Sequence, residues 1–95
     1  NNSVIKKNAK LNKVIVCENS KVNENTVIGL GDDVINEEFP KIYFSGISVV
    51  GEKAVVPSDV TIGKNCVVTG MPKQSDFAGK KLPSGKSVHG EEVEK

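Results

Sequence analysis

Large aliphatic residues recur at every sixth position through the middle of the chain, at Val50, Val56, Ile62 and Val68. Two residues before each stands a smaller side chain, Ser48, Ala54, Val60 and Cys66. In extended backbone, residues i and i+2 lie on one side. Each hexad therefore presents a small and a large side chain to a common interior. The three residues after each aliphatic are turn-prone, Gly51-Glu52-Lys53, Pro57-Ser58-Asp59 and Gly63-Lys64-Asn65, so each hexad reads as a short strand followed by a corner. Asp59 and Asn65 close their corners, where a left-handed backbone is expected and where Asn and Asp are the best-tolerated residues after Gly.

The first third of the chain follows the same rule. Ile5, Leu11, Val16, Val22 and Ile28 take the large role, Ser3, Ala9, Val14, Ser20 and Thr26 the small one, and Asn8, Asn19 and Asn25 close corners. The step from Leu11 to Val16 is five residues rather than six, which predicts a local defect at Asn12-Lys13. Counting Phe44, preceded by Ile42, as the first member of the second run gives ten hexads in two runs of five. Three hexads make one triangular coil. The expected fold is all-β, a single-stranded left-handed parallel β-helix of about three coils over 1–70, in which no coil buries its inner face without a neighbour. An antiparallel sandwich of short strands has no reason to keep a strict six-residue period with a small residue at fixed offset.

Composition supports strands over helices. Val and Ile dominate the apolar set, while the chain has no Trp, one Tyr and three Phe, so β-branched side chains must form the core. At 95 residues the chain has room for one small domain. It begins with Asn1 rather than Met, from which we expect a piece of a longer polypeptide.

Between Ile28 and Phe44 the period lapses, and the acidic, Gly- and Pro-punctuated stretch 29–43 is expected to be a loop inserted into the helix and leaving the prism. Gly29-x-Gly31 lacks the third Gly, the Lys and the following helix of a phosphate cradle and runs into Asp32 and Asp33, so it reads as a plain turn. Asp32, Asp33, Glu37 and Glu38 do not match a calcium-loop spacing and read as solvated acids. After Thr69-Gly70, Pro72 breaks the repeat and 71–95 reads as an irregular C-terminal tail. Phe77, Leu82 and Val88 are expected to pin that tail across the open end of the last coil, and 91–95 to be disordered.

The charge pattern bears on partners. Thirteen basic residues, all Lys, face twelve acidic ones for a net charge of +1, and the Lys are interleaved with Glu, Asp and Asn, which argues against nucleic acid as a partner. No apolar run reaches the roughly 18 residues of a membrane span, and no signal segment opens the chain, so we expect no membrane association and a cytoplasmic location. Cys17 and Cys66 are too far apart for a CxxC motif and read as free reduced thiols.

Little here looks catalytic. The single histidine, His89, falls in the tail with nothing in the sequence to orient it. The register puts Cys66 inside the prism, where a thiol is inert, and Cys17 at a corner without a basic partner. No catalytic, cofactor-binding or metal-ligating residue is assigned.

The run Ile42-Tyr-Phe-Ser-Gly-Ile-Ser-Val-Val-Gly-Glu-Lys-Ala-Val-Val-Pro-Ser-Asp-Val-Thr-Ile-Gly-Lys-Asn-Cys-Val-Val68, with Ser3-Val-Ile-Lys-Lys-Asn-Ala-Lys-Leu-Asn-Lys-Val-Ile-Val16 and its five-residue step, resembles the C-terminal β-helix of bacterial sugar-1-phosphate nucleotidyltransferases, above all the glucose-1-phosphate adenylyltransferase family. The resemblance covers about the first 70 residues. It implies a parent enzyme of glycogen synthesis whose separate N-terminal domain uses magnesium and ATP to convert glucose 1-phosphate to ADP-glucose and pyrophosphate. That family's glycine-rich catalytic signature has no match here, so this chain alone is expected to be inactive. The resemblance implies instead that the β-helix packs on the catalytic domain, helps build a homo-oligomer and contributes to binding a small-molecule effector. The alternative, a fragment of a hexapeptide-repeat acyltransferase, would need a His as general base, and His89 is the sole candidate.

Overall fold

In the computed structural model, which describes residues 2–91, eleven short strands succeed one another: β1 (Val4–Ile5), β2 (Lys10–Leu11), β3 (Val14–Val16), β4 (Lys21–Val22), β5 (Val27–Ile28), β6 (Ser48–Val50), β7 (Val55–Val56), β8 (Thr61–Ile62), β9 (Val67–Thr69), β10 (Lys81–Leu82) and β11 (Ser87–His89). Consecutive strands go to different sheets. One sheet has the order β1-β4-β7, a second β2-β5-β8-β10 and a third β3-β6-β9-β11, and each pairing between these strands is parallel. The chain thus passes from sheet to sheet in rotation, so that strands three places apart in the early order become neighbours. This is a parallel β-helix.

The period explains the core. Val22, Ile28, Val50, Val56, Ile62 and Val68 are buried, and so are Ser20, Thr26, Ser48, Ala54, Val60 and Cys66 at the small positions. Each buried aliphatic of this size contributes about 1.5–3 kcal/mol by leaving water. The polar members of the small set are bonded: the Ser48 hydroxyl donates to the Gly63 carbonyl at 2.7 Å and accepts from the Cys66 amide at 3.0 Å, and Thr26 Oγ1 donates to the Pro57 carbonyl at 2.8 Å. A hydroxyl inside the prism therefore escapes the cost of an unpaired buried group.

Corners obey the expected rule. Asn8, Asn19, Asn25, Asp59 and Asn65 have φ of 64°, 61°, 61°, 62° and 56°, and Lys53 joins them at 62°. That backbone turns the amide of the corner residue toward the preceding circuit: Asn25 donates to Lys7, Lys53 to Glu18 and Asp59 to Glu24, at 3.0–3.1 Å. Lys13, in the five-residue step, takes the same conformation at φ 54°, so the shortened corner keeps its left-handed residue and loses one of the others.

Three expectations need correction. Phe44 and Ile42 do not open the second run; they are 58 and 63 % exposed, and the strand begins at Ser48. The reason is topological, because between β5 and β6 the chain advances one sheet, leaving no place for another hexad. The inserted loop therefore extends over 29–47 rather than 29–43. Nor does it leave the prism: it emerges from the corner between the second and third sheets, above Asn12, and lies back on the stack. A Cβ at Gly29, whose φ is 101°, would run into the Asn12 carbonyl, so the exit requires glycine. Finally, 71–91 is more regular than a tail. Phe77 and Leu82 are buried at the end of the stack, as their apolar character suggests, but β10 and β11 extend two of the sheets. In the first sheet two single 3₁₀ turns, Gln74–Asp76 and Ala78–Lys80, stand where a further strand would go. Glu91 bridges to Met71, and the rest of the end expected to be disordered, 92–95, lies outside the described residues.

Candidate functional site

The shortened corner and the insert lie along one edge of the stack. The short corner Asn12-Lys13, the insert 29–47, the corner Gly63-Lys64-Asn65 and the corner Pro83-Ser84-Gly85 each join the second sheet to the third. Two asparagines fasten the insert there, both buried. Asn36 Nδ2 donates to the Asn65 carbonyl at 2.8 Å and to Ser87 Oγ at 3.1 Å, while its Oδ1 accepts from the amides of Glu38 and Phe39 at 2.9 and 2.8 Å. Asn65 Oδ1 accepts from the Gly46 amide at 2.8 Å, and its Nδ2 donates to the Val34 carbonyl at 2.9 Å. Asn65 thus serves the repeat with its backbone and the insert with its side chain. The Glu37 amide adds a bond to the Gly85 carbonyl at 2.8 Å.

Outside this buried seam runs a row of charges. Lys64 Nζ meets Asp33 at 3.1 Å, Lys86 Nζ meets Glu37 at 2.7 Å, and His89 Nε2 meets Glu38 Oε1 at 2.7 Å. Three of the four acids singled out in the sequence are thus each matched to a separate basic residue of the stack, rather than simply solvated. Among the described residues, no three His, Cys, Asp or Glu side chains converge as metal ligands.

His89 is not in a flexible tail. It sits on β11 opposite Thr69 of β9, and Thr69 Oγ1 lies 2.7 Å from His89 Nδ1. The hydrogen bond from His89 holds the Glu38 carboxyl below its ordinary value. Hydroxyl, imidazole and carboxylate succeed one another in the order of a nucleophile, base and orienter. Here, however, the His89 and Glu38 side chains are 45 and 47 % exposed, on the rim of an open hollow of about 350 Å³ that Glu37, Lys86 and Ser87 also line. A relay open to water gains little of the electrostatic advantage of a shielded site, and the arrangement reads as a clasp between insert and stack.

The sequence contains a signal for it. Leu82 and Val88 are six apart, and Pro83-Ser84-Gly85 between them is another turn-prone triplet. That signal is masked because Lys80 and Lys86 stand where the repeat has small residues.

The other singled-out residues fall in separate places. Cys66 is buried, and burial pushes its thiol up, away from the reactive thiolate. Cys17 is partly exposed at its corner. Gly29 and Gly31 are turn residues with φ of 101° and 144°.

A second notable surface is the β1 end of the stack. Ile5 and Leu11, whose equivalents further on are buried, are 44 and 37 % exposed. Lys13, Val14, Ile15, Ser45 and Ile47 line a shallow hollow beside it. No helix among the described residues is long and apolar enough to cross a membrane.

Comparison with known proteins gives a consistent name. The chain is 44 % identical to the glucose-1-phosphate adenylyltransferase of Acetivibrio thermocellus over 86 residues, 90 % of this chain and 20 % of that protein. It is 38 % identical to that of Thermomicrobium roseum over 88 residues, 92 % of this chain and 21 % of the relative. With that of Thermotoga neapolitana the identity is 45 % over 64 residues, 67 % of this chain and 15 % of the relative. The chain spans about a fifth of the length of the curated relatives it matches over most of its own. These names leave the acyltransferase alternative without support. No family model and no solved structure matches the chain. The parallel β-helix and these relatives together place the chain in the glucose-1-phosphate adenylyltransferase family, as a counterpart of its C-terminal region.

Proposed function

We propose that this chain is the assembly and regulatory domain of a glucose-1-phosphate adenylyltransferase, an enzyme that converts ATP and glucose 1-phosphate to ADP-glucose and pyrophosphate with magnesium. The 44 % identity to such a protein over 90 % of the chain carries the reading. The chemistry belongs to polypeptide outside these residues. Mg2+ and ATP are bound there, and the β-helix contributes packing, a homo-oligomer contact and part of an effector site in a cytoplasmic enzyme.

The β1 end supports the packing role. A β-helix that stops leaves inward side chains wet and a row of strand edges without partners. Ile5 and Leu11 hold inward positions of the repeat yet are exposed, and a covering domain would remove that cost. The test is to sequence the region encoded before Asn1 and assay the intact protein with ATP, Mg2+ and glucose 1-phosphate. ADP-glucose and pyrophosphate in equal amounts are the expected products. An upstream region without a nucleotide-binding α/β domain, or an intact protein that releases neither product, would end the proposal.

A further inference from the structure

The first circuit of the stack is one-sided in charge. Lys6, Lys7, Lys10 and Lys13 all precede the first acidic residue of the chain, Glu18. Topology lines them up: Lys6 and Lys7 turn the corner from β1 to β2, Lys10 opens β2, and Lys13 turns the corner from β2 to β3. Lys10 alternates with Leu11, which holds the inward position of the repeat, so it stands on the outer face of the second sheet. The basic residues therefore follow the second-sheet side of this end, whereas the remaining corner, from β3 to β4, carries Glu18. Lys7, Lys10 and Lys13 are exposed and Lys6 is half-buried.

Beside that basic border the end is apolar and unfinished. Val4 and Ile15 are exposed along with Ile5 and Leu11, and β1, β2 and β3 are each the last strand of a sheet, with a ladder partner on one side only. Elsewhere the molecule shows what stack lysines meet when polypeptide lies against them: the insert brings Asp33 to Lys64 at 3.1 Å and Glu37 to Lys86 at 2.7 Å. Among the described residues, no ion pair involves Lys6, Lys7, Lys10 or Lys13. Like charges along one border repel one another, and facing carboxylates turn that repulsion into attraction, more strongly where water is excluded. Two copies meeting through this end would instead set lysine against lysine.

We infer that the β1 end is covered by a protein face with an apolar centre and a border of Asp and Glu along the β2 side, supplied by the same polypeptide. The inference rests on the covering domain proposed for that end, and it adds the chemistry of that domain's contact and the side of the prism its carboxylates face. The length of chain is there to supply it, since the relatives extend far beyond the fifth that this chain matches. Apolar burial holds the cover and the lysines orient it, because a rotated cover would lose the ion pairs.

Zero-length carbodiimide coupling of the intact protein tests this, since the reagent joins an ammonium to a carboxylate only where the two touch. In the band of single-chain mass, Lys7, Lys10 or Lys13 should be found joined to Asp or Glu outside residues 1–95. Hydrogen exchange gives a second reading. Lys10→Gln should lower protection of the β1 and β2 peptides by about two- to fivefold, the effect of one exposed ion pair. Lys81→Gln, on β10 at the opposite end of the same sheet, should leave those peptides unchanged. The inference is overturned by an absence of such links, by links found only in the band of doubled mass, or by equal effects of the two substitutions. Binding of the intact protein to phosphatidylserine vesicles that Lys10→Gln abolishes would overturn it as well, in favour of a lipid surface. An intact protein that shows the links yet makes no ADP-glucose would end the proposed activity and leave this inference standing.

Discussion

At the β1 end of the stack, Ile5 and Leu11 occupy the large inward positions and are still 44 and 37 % exposed. At the other end the same positions fall to Leu82 and Val88. Leu82 is buried, Val88 packs on the core, and Phe77, only 3 % exposed, closes over the place where the first sheet stops. The large inward positions are apolar at both ends, so the difference lies in whether anything packs over the last circuit. Position in the hexad decides which way a side chain points, and a neighbouring circuit or a cap decides whether it is buried. In a nearest-neighbour solenoid the two are separate facts.

The sharpest way to break this comparison is to place one charge at equivalent positions. Val56→Asp puts an unpaired carboxylate among Val22, Ile28, Val50 and Ile62, and the expected cost exceeds about 4 kcal/mol, enough to abolish a cooperative melt in a domain this small. Ile5→Asp makes the same change at the wet end and should cost within about 1 kcal/mol. Urea denaturation monitored by circular dichroism reads both. A cooperative transition retained by Val56→Asp would sink the register on which the whole fold is argued.

How far the sequence carries this fold can be judged from the same residues. The hexads of Val50, Val56, Ile62 and Val68 are legible because burial on every side selects one small and one large side chain each time. The Asn and Asp corners are legible because few residues tolerate φ near 60°. Phe44 misleads because Ile42 and Phe44 imitate a hexad pair, and spacing alone does not say whether a sheet has a place for them. The clasp is hidden for the opposite reason: at the last circuit, Lys80 and Lys86 replace the small residues, and Lys86 turns to Glu37 of the insert. That pairing spans 49 positions, and no local pattern records a contact at such range. The role of Asn65 is half legible, since its corner is local and its grip on Gly46 and Val34 is not.

The caps can be compared through truncation. Phe77→Ala should cost about 3–5 kcal/mol, the usual range for deleting a buried aromatic. Leu11→Ala, at a site already partly in water, should cost about 1 kcal/mol or less in this chain. The second figure should rise in the intact protein if a covering domain sits on the β1 end. Equal costs for Leu11→Ala in the two settings would mean that this end stays wet, and would remove the packing argument while leaving the family assignment untouched.

The smallest expected effect comes from the two thiols, one near each kind of environment. Cys17 is partly exposed and Cys66 is buried between the second and third sheets, with burial raising its thiol above the ordinary value of 9.0. A raised folded-state value means that the native protein holds Cys66 neutral at a pH where the unfolded chain has begun to ionise. Stability from this source is therefore complete below about pH 9 and declines as pH rises toward the folded-state value. Urea midpoints measured through the alkaline range should fall less steeply for Cys66→Ala than for the unaltered chain. The difference between the curves carries the result. Parallel curves for Cys66→Ala and the unaltered chain would place that thiol in contact with water, against the packing described for the third sheet.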